Sequence, residues 1–234
     1  MADVPVGHST FHNFEPVVED DVMLLIKGSP LKSCTLDPLP SPVLRDCHDI
    51  LLPVITRMIN LSLENGTMPN IYKIAMLTPI IKKSNESHEE LSNYRPISNL
   101  PFVSKLIEKA VASQLNYYLT ENNLHDVNQS AYKTYHSTET ALLKIQNDVL
   151  MSIDQNQAVV LIFLDMSAAF DTVNHKTLLG RLSNCFGIHG TALRWFESYL
   201  SYRKQFVNIR TSNSSLSKNT TYDTIYMLMT RICI

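Results

Sequence analysis

Apolar residues recur along this chain at two periods, and the switches between them mark out its elements. Over residues 15–27 an acidic start precedes Val17, Val18, Val22, Leu25 and Ile26, the pattern of a short helix. Residues 28–42 hold four of the eleven prolines and read as an ordered turn. From 43 to 64, Leu44, Cys47, Leu51, Leu52, Ile55, Met58, Ile59 and Leu63 draw a helical stripe, with Asn65-Gly66 as its stop and Pro53 as the place for a kink. Residues 74–81 read as a strand, and Pro79 within it argues for an edge position or a bulge.

A long helix is predicted over 102–122 from Val103, Leu106, Ile107, Ala110, Val111, Leu115 and Leu119. Ser137 and Thr138 cap the next, over 138–153, with Leu142, Leu143, Ile145, Val149, Leu150 and Ile153 on its buried side. The unbroken β-branched and aromatic run at 158–164 fits a strand buried on both faces. Two more helices are expected over 175–186, stopped by Gly187, and over 191–202, followed by a strand at 205–210. From Thr211 the chain turns Ser/Asn/Thr-rich, and no amphipathic pattern organises its ending. The elements add up to a mixed α/β (α+β), helix-rich chain.

Composition narrows this picture. With 234 residues and 44% hydrophobic content, the chain can bury a core as one domain, or one and a piece of another. Twenty Lys and Arg face 22 Asp and Glu, so any basic surface is local and a strongly basic nucleic-acid module is excluded. The longest apolar run, 158–164, is far below the roughly 20 residues that span a bilayer. The first fourteen residues have neither a basic start nor an apolar stretch, so no secretory signal is read. The four cysteines are scattered without a CxxC pair, which indicates neither a disulfide framework nor a zinc site. An intracellular location, nucleus or cytoplasm, is expected, with no membrane association.

The segment that carries chemistry follows the 158–164 run: Asp165-Met-Ser-Ala-Ala-Phe170-Asp171. A carboxylate at the end of a core strand is held rigidly at the edge of a cleft. That geometry suits Mg²⁺, which takes few protein carboxylates and shares its other positions with phosphates and water. On spacing alone, Asp165 fits equally a cap on the turn after the strand.

Asp165-Met-Ser-Ala-Ala-Phe-Asp-Thr-Val-Asn-His175 resembles motif A of reverse transcriptases. Three further blocks resemble non-LTR retrotransposon (LINE-type) enzymes, Asn93-Tyr-Arg95-Pro-Ile-Ser98-Asn-Leu-Pro, Asn128-Gln-Ser-Ala-Tyr and His136-Ser-Thr-Glu-Thr-Ala-Leu-Leu143, and Leu77-Thr-Pro-Ile-Ile-Lys-Lys83 also fits that lineage. Lys32-Ser-Cys-Thr-Leu-Asp37-Pro fits the same lineage.

The resemblance implies the fingers and a partial palm of a right-hand polymerase. It implies a loose tail over 1–14, an N-terminal helical extension over 15–73, the reverse transcriptase domain over 74–215, and a tail outside the family pattern over 216–234. Asp165 then matches the catalytic aspartate that ligates both Mg²⁺ ions, with Mn²⁺ as a substitute; one ion activates a primer hydroxyl and the other carries the triphosphate. The backbone of Met166, Ser167, Ala168 and Ala169 lies along that triphosphate, and Phe170 is the steric gate against a ribose 2′-hydroxyl. Asp171 makes a local hydrogen bond. Arg95 and Lys133 face the nucleotide, and Lys82, Lys83 and His136 the nucleic acid. The implied partners are RNA template, DNA primer and dNTPs; no specific protein partner is read.

Two departures qualify the match. Ala131-Tyr-Lys133-Thr-Tyr135-His136 stands where relatives read Ala-Tyr-Arg-Lys-Gly-His, so a guanidinium fork becomes a point charge and a glycine becomes Tyr135. The Gly-Pro-Gln-Gly block and the Ala-Asp-Asp box of relatives are absent, and the only adjacent aspartates are Asp20-Asp21. The chain is therefore expected to be inactive alone. A non-catalytic remnant that binds nucleic acid, and a protein-interaction fragment, stay open as alternatives.

Overall fold

Most helical stripes find their helix, and the stops explain the boundaries. The computed structural model describes residues 10–30, 34–133, 135–164 and 172–207. Helix α1 spans Glu19–Lys27, with Glu19, Asp20 and Asp21 in the first turn, where the helix dipole favours acids. The stripe at 43–64 is split into α2 (Ser41–Asp46) and α3 (His48–Asn65), and the break falls at Cys47 rather than Pro53. Pro53 is exposed in the second turn of α3. The N–H it lacks is the partner of the Asp49 carbonyl, so the ladder loses one bond close to its start. Gly66 ends α3 at φ 62° and ψ 41°, its N–H bonding the Leu63 carbonyl while that of Thr67 bonds Ser62. A Cβ at Gly66 would stand 2.7 Å from the Thr191 carbonyl oxygen, so both conformation and space demand glycine.

Downstream come α4 (Phe102–Glu121), α5 (Thr138–Asp154), α6 (His175–Asn184) and α7 (Gly190–Leu200). Strands β1 (Ile74–Ile81), β2 (Tyr94–Asn99) and β3 (Lys204–Val207) form a sheet in the order β2-β1-β3. The first pair is antiparallel and the second parallel. Pro79 is thus not on an edge strand. It faces Pro96 across the antiparallel pair, an arrangement compatible only with a position where no ladder hydrogen bond is exchanged. On its other side, described pairing with β3 ends at Leu77, opposite Val207.

The core gathers the inward faces of α1, α3, α4, α6 and α7. At its centre the Trp195 ring stacks on Tyr199 at 5.1 Å, and its Nε1 donates to Ser62 Oγ at 3.0 Å. Within the stretch expected as a tail over 1–14, Phe11 and Phe14 pack against this core. Phe11 N–H bonds the Gly187 carbonyl at 3.0 Å, His189 N–H bonds Phe11 at 2.9 Å, and Phe14 is buried against Trp195.

Two expectations fail together. Residues 158–164 form no strand; Val159 to Leu164 range from 39% to 91% exposed. Helix α5 forms, with Ser137 and Thr140 in a reciprocal capping box, yet none of its side chains is buried. The apolar pattern of both is real, but no described element covers them. A strand, unlike a capped helix, takes its state from its neighbours. The predicted strand positions 208–210 lie outside the described residues, as does the 216–234 tail.

Sequence periodicity also left a buried acid unread. Glu108 on α4 accepts the Tyr199 hydroxyl at 3.0 Å and is 2% exposed. Burial pushes its carboxyl up to about 7, against the opposing pull of Arg203, the Tyr199 hydroxyl and Lys105. Between the ordinary carboxylate range and about pH 7 the folded chain keeps a proton that the unfolded chain releases. Stability is therefore fully present at low pH and falls as pH rises to about 7, by roughly 3 kcal/mol. Glu108→Gln keeps an acceptor for Tyr199 and removes the ionisation. Urea unfolding at pH 5 and pH 8 should show that decline in the wild type and a much shallower one in the variant. Equal declines would refute the assignment.

Candidate nucleic-acid interface

The β1–β2 hairpin positions three of the four predicted basic side chains. Register sets Ile80 opposite Arg95 and Ile81 opposite Tyr94, and the Lys82 N–H continues the ladder to the Asn93 carbonyl at 2.8 Å. Side chains alternate along strands and facing residues share a side. Lys82, whose N–H continues the ladder, therefore follows Ile80 onto the Arg95 face, and Lys83 lies beyond the paired strand.

Local bonds pin the loop between the strands. Lys82 Nζ donates to the Ser92 carbonyl at 2.6 Å, the Tyr94 hydroxyl to His88 O at 3.0 Å and Asn93 Nδ2 to Ser87 O at 3.0 Å. Arg95 and Lys83 are exposed, and among the described residues neither side chain makes a hydrogen bond or ion pair. Their donors are open to solvent, the condition for meeting a phosphate. The same loop carries Glu86, Glu89 and Glu90, so the hairpin tip is not uniformly basic.

Lys133 and His136 sit on a separate segment that leads into α5. Both are exposed, and the His136 N–H bonds the Lys133 carbonyl at 3.2 Å. Tyr132 and Tyr135 flank this turn at φ 58° and φ 62°. The position where relatives read glycine does require the left-handed region, and Tyr135 occupies it at a cost of about 1–2 kcal/mol. Ser137 acts as the predicted helix cap, accepting from the Thr140 N–H at 3.3 Å.

Asp165, Met166, Ser167, Ala168, Ala169, Phe170 and Asp171 lie outside the described residues. Among the described residues, no three His, Cys, Asp or Glu side chains cluster to hold a metal ion. Asp20 and Asp21 belong to the first turn of α1. What sequence reasoning missed is the polar group buried behind the sheet, around Glu108 and Arg203. A signal existed: Ser104, Glu108 and Ala112 follow one another at i, i+4 on α4, and all three are buried.

Comparison with known proteins adds the lineage. The sequence model described as "Reverse transcriptase (RNA-dependent DNA polymerase)" matches residues 80–223. The chain is 28% identical over 201 residues, 86% of its length, to a probable RNA-directed DNA polymerase from transposon BS of Drosophila melanogaster, of which it covers 22%. It is 28% identical over 73% of its length to the RNA-directed DNA polymerase from mobile element jockey of the same fly, covering 19% of it. To the Pol polyprotein from the type-1 retrotransposable element R2 of Popillia japonica it is 25% identical over 77% of its length, covering 24%. The chain thus spans about a fifth to a quarter of the length of these relatives.

Proposed function

The chain belongs to the reverse transcriptase (RNA-dependent DNA polymerase) family, and on that premise we propose that it carries the template- and nucleotide-facing fingers of such an enzyme with an incomplete catalytic centre. The observation that carries the first half is the hairpin register that puts Lys82 and Arg95 on one face, with the Arg95 guanidinium unpaired. A guanidinium there serves a nucleotide phosphate or the template backbone, Lys82 and Lys83 the backbone nearby. Lys133 and His136 supply further contacts from the turn before α5. Asp165 is the residue for a divalent ion, Mg²⁺ or Mn²⁺, and the segment from Met166 to Phe170 serves the incoming dNTP.

The donor set does not fit a pair of Mg²⁺ ions. Two such ions bring four positive charges, and one aspartate offers one negative charge where Mg²⁺ asks for carboxylates in near-octahedral array. Asp20 and Asp21 are committed to the α1 terminus. Among the described residues, no helix is long and apolar enough to cross a membrane.

Binding and activity are tested separately. A labelled RNA–DNA hybrid should bind with strong salt dependence, and Arg95→Ala should weaken binding and lower the slope of log K against log salt by about 1. An unchanged slope would remove Arg95 from the phosphate contacts. Primer extension on a homopolymer RNA template, with Mg²⁺ and then Mn²⁺, should give no product, since lost metal anchoring costs about 10²-fold even for outer partners. Extension by the wild type that disappears in Asp165→Ala would show that the centre is complete after all.

A further inference from the structure

Strands β1 and β3 run parallel, with Ile74 opposite Lys204 and Ala75 opposite Gln205. Ala75 and Gln205 share a face by that pairing, and Lys73 and Arg203 are the residues just before the two strands. These positions are buried: Lys73 is 4% exposed, Arg203 7% and Gln205 5%. Buried sheet faces are ordinarily apolar. This one sets an alanine among three hydrogen-bond donors.

Not all of those donors find acceptors. Arg203 Nη1 donates to the Tyr199 carbonyl at 2.8 Å, and the guanidinium lies 4.4 Å from the centre of the Tyr199 ring. Lys73 Nζ reaches Ser198 Oγ at 3.2 Å. Among the described residues, Arg203 Nε and Nη2 and Gln205 Nε2 are buried with no acceptor. The acid nearest in charge, Glu108, already accepts the Tyr199 hydroxyl and is held partly protonated near neutral pH by its burial. Arg203 in turn pulls the charges of Lys73 and His175 down, second in each case to burial. A guanidinium stays charged whatever its surroundings, and a buried charge without a committed counter-ion is strongly unfavourable.

We propose that this inner sheet face is an oxyanion site: the Nε–Nη2 edge of Arg203 and the amide of Gln205 grip a carboxylate or phosphate-class group, with Lys73 alongside. The free edge of a guanidinium presents two parallel donors that match two oxygens of one such group, and the Gln205 amide supplies a third. The site lies on the β1–β3 pair, apart from the hairpin face of Arg95, and does not rest on the polymerase reading.

The expected occupant is a free anion, and one titration tests it. The full chain is titrated with inorganic phosphate at constant ionic strength, chloride balancing the salt, and the thermal midpoint is followed. With a free-anion site the wild-type midpoint rises saturably. Gln205→Leu, which keeps the charge, then weakens apparent phosphate affinity about tenfold, and Arg203→Met abolishes the response. A wild-type midpoint independent of phosphate overturns the proposal. So does a response that Gln205→Leu leaves untouched, a result available even if Arg203→Met fails to fold.

Discussion

Trp195→Ala is expected to remove about 4 kcal/mol or more of stability, enough to leave the chain at best marginally folded. Truncating a buried aromatic to alanine costs about 3–5 kcal/mol in core sites, and whole domains hold only about 5–15 kcal/mol. Trp195 is fully buried and meets three rings: it stacks on Tyr199 with planes 14° apart and meets Phe14 and Phe196 edge-on at 6.0 and 5.5 Å. It also ties α7 to α3 through its bond to Ser62, whose oxygen loses that donor in the variant. Trp195→Phe, which keeps a ring and drops the N–H, should lose distinctly less. Urea unfolding followed by circular dichroism gives both values, and a loss below about 1.5 kcal/mol for the alanine variant would mean that the site collapses around the gap.

The second large effect concerns association. Val160, Ile162, Phe163 and Leu164 are 82%, 73%, 76% and 91% exposed. Together with Leu142, Leu143, Leu150, Met151 and Ile153 on α5, they present apolar surface of a kind that isolated soluble chains rarely leave uncovered. A short, uncharged, β-prone run with open backbone groups is a template for pairing with other chains. The wild-type chain should therefore self-associate at micromolar concentration. Ile162→Lys should raise the concentration at which this begins on the order of tenfold, because each pairing then buries or repels a charge. Sedimentation velocity over a concentration series measures both. A wild type that stays monomeric at the highest concentrations would mean that the run is shielded in solution.

Helix positions were legible because their signals are local. The stripe over 102–122, the Ser137 cap and the Gly66 stop each depend on residues within a turn or two, and each sits where its pattern says. The run at 158–164 misled because an apolar segment states what it needs, not whether a partner exists. Strand β2 was missed for a related reason: Tyr-Arg-Pro-Ile-Ser-Asn has a proline at its centre, and only the facing Pro79 makes that harmless. Cys47 carries no breaker signal, so the split between α2 and α3 was invisible while Pro53 drew attention. At the candidate site, residue types came from resemblance to a family. Their grouping did not: that Lys82 shares a face with Arg95 follows from the hairpin pairing and its continuation to Asn93. The buried Glu108 and Arg203 escaped because nothing local pairs them: their proximity is set by α4, α7 and β3 together.

The parallel pairing of β1 with β3 also bears on how the chain emerges from a ribosome. Antiparallel β2 follows β1 closely, so that hairpin can zip as soon as residue 99 is clear of the exit tunnel. The other edge of β1 waits for residues 204–207, and the neighbouring Met68–Ser198 bond likewise bridges 130 positions. At about 5–20 residues per second, synthesis takes on the order of ten seconds to cover that gap. For that interval Lys73 and Ala75 have no strand beside them, and the nascent chain offers an open sheet edge to chaperones and neighbouring polysomes alike. Rare-codon pauses between residues 100 and 200 would lengthen the exposure, whereas pauses after residue 207 would leave it unchanged.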